Sequence, residues 1–174
     1  LYRDGVRQAE PRGLAAVSAA SRGGGIAWLG LYRPTAEEFA EVAREFGLHE
    51  LAVEDAVHAH QRPKLERYGD TLFCVLRPAR YIDESETVEF GELHAFAGGT
   101  FVITAHQDDA CDLAGVRAGL EARPDLLRRG PVAILHAIMD RVVDDYAPVV
   151  AGLENDIDEI EDTVRIDAAT SQRQ

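Results

Sequence analysis

Cysteine is nearly absent from these 174 residues: only Cys74 and Cys111 occur. That excludes a disulfide scaffold and makes a reducing compartment the default. Cys74 sits inside an apolar run and reads as a small buried hydrophobe. Basic charge is scarce too. Eighteen Lys and Arg against 31 Asp and Glu leave a net charge of −13. This disfavours nucleic acid and anionic lipid as partners and favours cations. No apolar run approaches the ~20 residues that span a bilayer. There is no visible signal peptide, and the chain begins at Leu1 rather than Met, as a piece of something longer would. Catalytic signatures are missing as well: no G-x-S-x-G, no H-E-x-x-H and no C-x-x-C. No enzyme is expected.

What is present is an ordinary globular composition, 46% hydrophobic and 28% charged, enough for one domain plus an extension. Leu14 to Ala20 reads as a strand, followed by turn chemistry at Ser21-Arg22-Gly23-Gly24-Gly25 and a second strand over Ile26 to Tyr32. The glycine run lacks the lysine and spacing of a phosphate loop. Thr35 with Glu38 three residues on forms a capping-box pattern, and Gly47 ends that helix. His49 to Val57 is a second helix, stopped before Pro63. Thr71 to Leu76 is expected as a central strand buried on both faces. Tyr81 to Glu86 reads as an acidic loop. Val88 to Phe96 and Thr100 to Thr104 read as strands joined at Gly98-Gly99, with a bulge at Gly91. A helix follows within Asp108 to Ala122.

From Pro131 to about Ile166 the pattern is that of one long helix. Leu135, Met139, Val142, Tyr146, Val149, Leu153, Ile157, Ile160 and Val164 recur at spacings of three and four, a heptad-like seam. Its length would be roughly 50 Å, with a kink expected at Pro148. The residues therefore divide into an α/β domain over 1–130, a long acidic amphipathic helix over 131–166, and a tail over 167–174 expected to be disordered. Between residues 140 and 167 ten acids face two arginines, which holds eight of the thirteen excess negative charges. A solvated helix face is the ordinary reading. Glu154, Asp158 and Asp162 nevertheless follow one another at single turns, where like charges repel. Hard oxygen ligands of this kind suit Mg²⁺ or Ca²⁺.

His58-x-His60 opens a run that continues Gln61-Arg62-Pro63-Lys64. As zinc ligands the two histidines would need partners that local sequence does not supply. The bases are too few for a phosphate track. A helix-to-strand junction is the simpler reading, with Arg62, Lys64 and Arg67 free to pair with Glu54, Asp55 and Glu66.

His49-Glu50-Leu51-Ala52-Val53-Glu54-Asp55, then His60-Gln61-Arg62-Pro63-Lys64-Leu65-Glu66 and Phe73-Cys74-Val75-Leu76, resembles the cytosolic domain of the CorA family of magnesium and cobalt transporters. Asp140-x-x-Val143-Asp144-Asp145-Tyr146 and Leu153-Glu154-x-Asp156-Ile157-Asp158-x-Ile160-Glu161 resemble that family's first long helix beyond the sheet. The resemblance spans about Ile26 to Val164. It implies a mixed, largely antiparallel β-sheet between helix layers, followed by a long helix extending from the domain. It implies a homopentamer on the cytoplasmic face of the cell membrane, anchored through C-terminal helices and a Gly-Met-Asn pore signature that this chain does not contain. It also implies regulatory Mg²⁺ between subunits, with Co²⁺ or another divalent cation as alternatives. Carried over by position, Asp83 and Glu84 stand in the loop after the central strand, and Asp156 or Asp158 on the long helix. Two other readings remain open at this point: a zinc transporter of the same superfamily, and a soluble acidic scaffold that pairs through its long helix without metal.

Overall fold

The computed structural model describes residues 1–9, 11–58 and 62–171, the last ten of these as helix backbone only. A short N-terminal hairpin, β1 (Tyr2–Arg3) and β2 (Val6–Arg7), precedes helix α1 (Leu14–Arg22), strand β3 (Ala27–Tyr32), and helices α2 (Ala36–Phe46) and α3 (Glu50–Val57). Six strands follow: β4 (Lys64–Tyr68), β5 (Thr71–Leu76), β6 (Ala79–Ile82), β7 (Thr87–Phe90), β8 (Leu93–Ala97) and β9 (Phe101–His106). Helices α4 (Leu113–Glu121), α5 (Pro124–Leu127), α6 (Pro131–Asp144) and α7 (Tyr146–Ser171) complete the described chain.

The main sheet has the order β3-β9-β8-β5-β4. Only β3 and β9 run parallel; the other neighbours are antiparallel. The sheet is therefore mixed and largely antiparallel, as expected. Strand alternation sends successive side chains to opposite faces. Phe73, Val75, Phe96, Ile103 and Ala105 meet Phe39, Val42, Phe46 and Ala52 of α2 and α3 on one side. Cys74, Leu93, Ala95 and Val102 meet Leu120, Leu127, Ile134, Ile138 and Val142 of α4, α5 and α6 on the other. The sheet lies between two helix layers.

Local chemistry explains the clearest boundaries. Thr35 Oγ1 accepts from the Glu38 backbone N–H at 3.2 Å, and Glu38 Oε2 accepts from the Thr35 N–H at 2.9 Å. Gly47 closes α2 in the left-handed conformation at φ 67°, where a side chain would be strained. His49 caps α3 through Nδ1, which accepts from the Leu51 N–H at 3.2 Å. Of the H-A-H-Q-R-P-K run, Ala59, His60 and Gln61 lie outside the described residues. His58 ends α3 and Lys64 begins β4. Lys64 Nζ stands 2.6 Å from Asp55 and 3.0 Å from Glu66, so this basic residue pairs within the scaffold.

Four expectations need correction. Leu14 to Ala20 is helical, within α1. Four alanines in seven residues favour helix intrinsically, and Leu14, Val17, Ser18 and Ser21 share one helix face (i, i+3, i+4, i+7) turned to the protein. Tyr81 to Glu86 is not all loop: β6 pairs with β7 in a separate two-stranded hairpin, leaving only Asp83 to Glu86 as its turn. Val88 to Phe96 is not one bulged strand, because the chain changes sheets at Gly91 and Glu92. Asp108 fills the space beside Gly91 and accepts from the Glu92 and Ala110 N–H groups, each at 3.0 Å. The long helix is two helices broken at Asp145, three residues before Pro148. Proline has no N–H for the Asp144 carbonyl, so the defect opens one turn upstream of the ring. The second helix continues to Ser171; 172–174 lie outside the described residues.

His94, on β8, is only 5% exposed. Its Nε2 lies 3.0 Å from Glu92 Oε1, while Arg77 approaches Glu92 Oε2 at 3.3 Å. Burial lowers its pKa from 6.5, with Glu92 opposing the shift. A depressed folded-state value means that the unfolded chain binds the extra proton first. The stability this confers is complete above pH 6.5 and is lost as pH falls below that value. Replacing His94 with Gln is expected to flatten stability between pH 7 and 5 in urea titrations; an unchanged slope would place the linkage elsewhere.

Candidate functional site

The four acids singled out from sequence fall on two elements. Asp83 and Glu84 lie in the β6–β7 turn, and Asp156 and Asp158 lie on α7; all but the half-buried Asp156 are exposed. The turn is closed by the Ser85 N–H donating to the Ile82 carbonyl at 3.3 Å and by a 2.7 Å contact between the Ser85 and Thr87 hydroxyls. Arg80 and Glu89, directly opposite one another in the hairpin, form a 2.7 Å ion pair.

Helix α7 leaves the domain across this hairpin. Val149 is buried, Gly152 and Asp156 are half-buried, and these three follow at i, i+3 and i+7 on the face turned to β6. Val150, Leu153, Ile157 and Ile160 are exposed. The expected single seam therefore divides. Leu135, Val142 and Val149 belong to the buried part, whereas Leu153, Ile157 and Ile160 face outward; the side chain of Val164 lies outside the described residues.

Two tyrosines tie the helix down. The Tyr146 hydroxyl donates to the Arg77 carbonyl at 2.6 Å, and the Tyr81 hydroxyl donates to Asp156 Oδ1 at 2.7 Å. The Tyr81 ring lies flat on Gly152, where an added Cβ would stand 2.7 Å from ring carbons. Glycine inside a helix costs about 1 kcal/mol relative to alanine, and here it makes room for the ring. The hydrogen bond to Asp156, then burial, and then the negative charges of Asp156, Glu86 and Asp83 push the Tyr81 phenol up to about 12.

The hairpin and the two helices enclose a groove of about 500 Å³. Its walls include Tyr81, Asp83, Asp109, Asp112, Arg141, Asp145, Gly152 and Asn155. Several of these acids are engaged. Arg141 Nε donates to Asp145 Oδ1 at 2.8 Å and its Nη1 lies 3.6 Å from Asp112. Asp112 also caps α4, and Asp109 accepts from the Tyr32 hydroxyl at 3.2 Å. The structure thus bonds Asp156 to Tyr81 and leaves Asp83, two residues along the hairpin, in the groove's wall. Glu84 remains at the turn, and Asp158, two residues along the helix, is rotated about 200° from Asp156.

Asp109, Asp112, Asn155, Tyr81 and Gly152 were not anticipated. A glycine within an otherwise regular acidic helix was the one sequence signal that pointed to a close approach. The exposed donors are carboxylate and amide oxygens, the chemistry preferred by Mg²⁺, which keeps several waters and takes one or two carboxylates. Among the described residues no three Asp, Glu, His or Cys side chains converge as a metal centre. Also among them, no helix is long and apolar enough to cross a membrane.

The chain superposes on the soluble domain of CorA from Methanocaldococcus jannaschii with a TM-score of 0.62 at 19% identity, covering 78% of this chain and 54% of that one. It is 38% identical over 136 residues to YfjQ of Bacillus subtilis, which is named as a metal ion transporter, covering 78% of this chain and 41% of YfjQ. It is 27% identical over 135 residues to the cobalt/magnesium transport protein CorA of Thermotoga maritima, covering 76% of this chain and 38% of that protein. The profile of the CorA-like Mg²⁺ transporter protein family matches residues 23–174. The chain belongs to that family, and it spans about two fifths of the length of these two relatives.

Replacing Asp156 with Asn removes the charge that holds the Tyr81 proton. The phenol is expected to return from about 12 toward its ordinary value of 10, read as an earlier tyrosinate absorbance rise than in wild type. Coincident titrations would show that the hydrogen bond does not form in solution.

Proposed function

We propose that this chain is the cytosolic regulatory domain of a CorA-like divalent cation channel, and that it senses Mg²⁺ through Asp83, Glu84, Asp156 and Asp158. The observation that carries this reading is the packing of the acid-rich α7 on β6 in a member of this family, with Tyr81 bonded to Asp156 and Asp83 lining a groove that α7 also walls. Asp83 makes no hydrogen bond or ion pair among the described residues, and one oxygen of Asp156 is held by Tyr81 while the other is left to a further ligand. These are hard donors, which favours Mg²⁺, with Co²⁺ as a second cargo, over zinc.

The functional logic follows from charge. Acidic faces of neighbouring subunits repel, and a divalent ion between them screens the repulsion. A cation that binds the closed assembly better than the open one shifts the population toward closure. In this reading the full-length protein is a homopentamer at the cytoplasmic face of the membrane. Each chain contributes part of the site, in keeping with the small number of converging acids in one copy.

Binding to the folded state raises apparent stability by mass action, about 2.7 kcal/mol at a hundredfold excess over Kd. A Mg²⁺ titration of this chain is expected to give a saturable rise in thermal midpoint at millimolar concentration, with a rise in mass in solution. The Asp83→Ala/Glu84→Ala double variant is expected to lose both. Flat titrations for wild type and variant alike would remove the sensing role and leave an acidic scaffold.

A further inference from the structure

Among the described residues His94 is the only buried histidine, and it lines a cavity. That cavity, of about 340 Å³, lies where the start of α2, the end of α3 and the β7–β8 link meet, and it shares no lining residue with the groove beside α7. Its volume falls within the roughly 300–1,000 Å³ of small-molecule pockets. Phe39, Ala56 and Ala105 give it an apolar wall, and the exposed Val57 and Phe90 mark its mouth. Its polar end holds His94, Glu92 and Arg77.

The His94 ring packs on Phe73, with centroids 6.1 Å apart and planes 16° from parallel, so the sheet sets its orientation. Its Nε2 makes no hydrogen bond: Glu92 Oε1 is 3.0 Å away but not aligned to exchange one. A ring nitrogen sealed from water without a hydrogen bond is costly, which points to a group that arrives from outside. Burial holds His94 below its ordinary 6.5. At neutral pH the ring is therefore uncharged, and in the Nδ1–H tautomer Nε2 is an acceptor. Glu92 and Asp108 outweigh Arg77 among the lining residues, so the local sign favours a cation. A metal ion is a poor match, because among the described residues no three ligating side chains converge. An apolar wall suits an organic body instead.

We propose that this cavity binds a small primary amine in its ammonium form, the –NH₃⁺ group donating to His94 Nε2 and Glu92 Oε1 while an aliphatic body lies along Phe39, Ala56 and Ala105. The site is separate from the acids of the Mg²⁺-sensing reading and does not depend on it.

The test is calorimetric titration of the chain with hexylamine hydrochloride at neutral pH, in excess MgCl₂ so that the exposed acids of α7 are already screened. Saturable binding of one ammonium per chain is expected. Hexan-1-ol, with the same body and no charge, is expected to bind at least about tenfold more weakly. His94→Phe keeps a ring stacked on Phe73 and removes the acceptor. Ala56→Leu fills the cavity from α3 with another good helix former. Each is expected to weaken hexylammonium binding at least about tenfold while far-UV circular dichroism stays native. Wild-type affinity in a folded His94→Phe would overturn the proposal, as would equal affinity for hexan-1-ol, which would leave only an apolar cavity. Absence of saturable amine binding by the wild type would overturn it outright. Should neither variant fold, the comparison of amine with alcohol on the wild type decides.

Discussion

Burial of the sheet on both faces is the constraint from which the remaining architecture follows. All five residues of β8, Leu93 to Ala97, are buried. Its neighbours β5 and β9 contribute Phe73, Val75, Val102 and Ile103, none of which is exposed at all. A sheet of this kind has no solvent face and needs helices on each side. The segment between β3 and β4 supplies one layer, α2 and α3. The segment after β9 supplies the other, and α6 completes it by laying Ile134, Ile138 and Val142 on the sheet. Once that face is covered, α7 has nowhere further to pack. It leaves the domain, touching it chiefly through the outlying hairpin β6–β7.

That exit sets the electrostatics. A helix packed over its whole length could not carry this density of acids without costly desolvation. Because α7 from Val150 to Glu161 is largely solvated, its acids there are screened by water, and their mutual repulsion costs only tenths of a kcal/mol per pair. Near the domain the balance changes. Arg141 offsets Asp145 and Asp112, Arg80 offsets Glu89, and Tyr81 supplies Asp156 with a neutral donor. Asp83, Asp109 and Asp156 are among the acids here that form no ion pair among the described residues.

The parts of this fold that were legible in the sequence are those fixed by local chemistry. Thr35, Glu38 and Gly47 delimit α2 without reference to the rest of the molecule, and the Gly98-Gly99 region marks the β8–β9 hairpin. The resemblance carried by the H-Q-R-P-K run and the helix acids supplied the layer order, which periodicity could not. Seven residues were too few to separate a buried strand from an alanine-rich helix at Leu14 to Ala20. The change of sheet at Gly91 depends on Asp108, seventeen positions away in the chain, and leaves no local mark. The acids of the candidate site were readable as charge, but not as geometry. Which of Asp156 and Asp158 faces the hairpin depends on a contact between residues 75 apart.

Under the proposed sensing role, the difference between those two aspartates favours a site shared between chains. They are two residues apart on one helix, so a single groove cannot face both. Tyr81 selects Asp156, and Asp158 is left pointing outward with Ile157 and Ile160 exposed beside it. Under the proposed sensing role, a cation beside this hairpin would draw one or two carboxylates from this chain, within a coordination sphere that Mg²⁺ otherwise fills with water. Two carboxylates neutralise the ion, yet they hold it weakly while the rest of its shell is exchangeable. Affinity would rise only when another surface replaces some of that water. A cation site with this donor count is better suited to reporting the approach of a neighbouring subunit than to binding metal permanently.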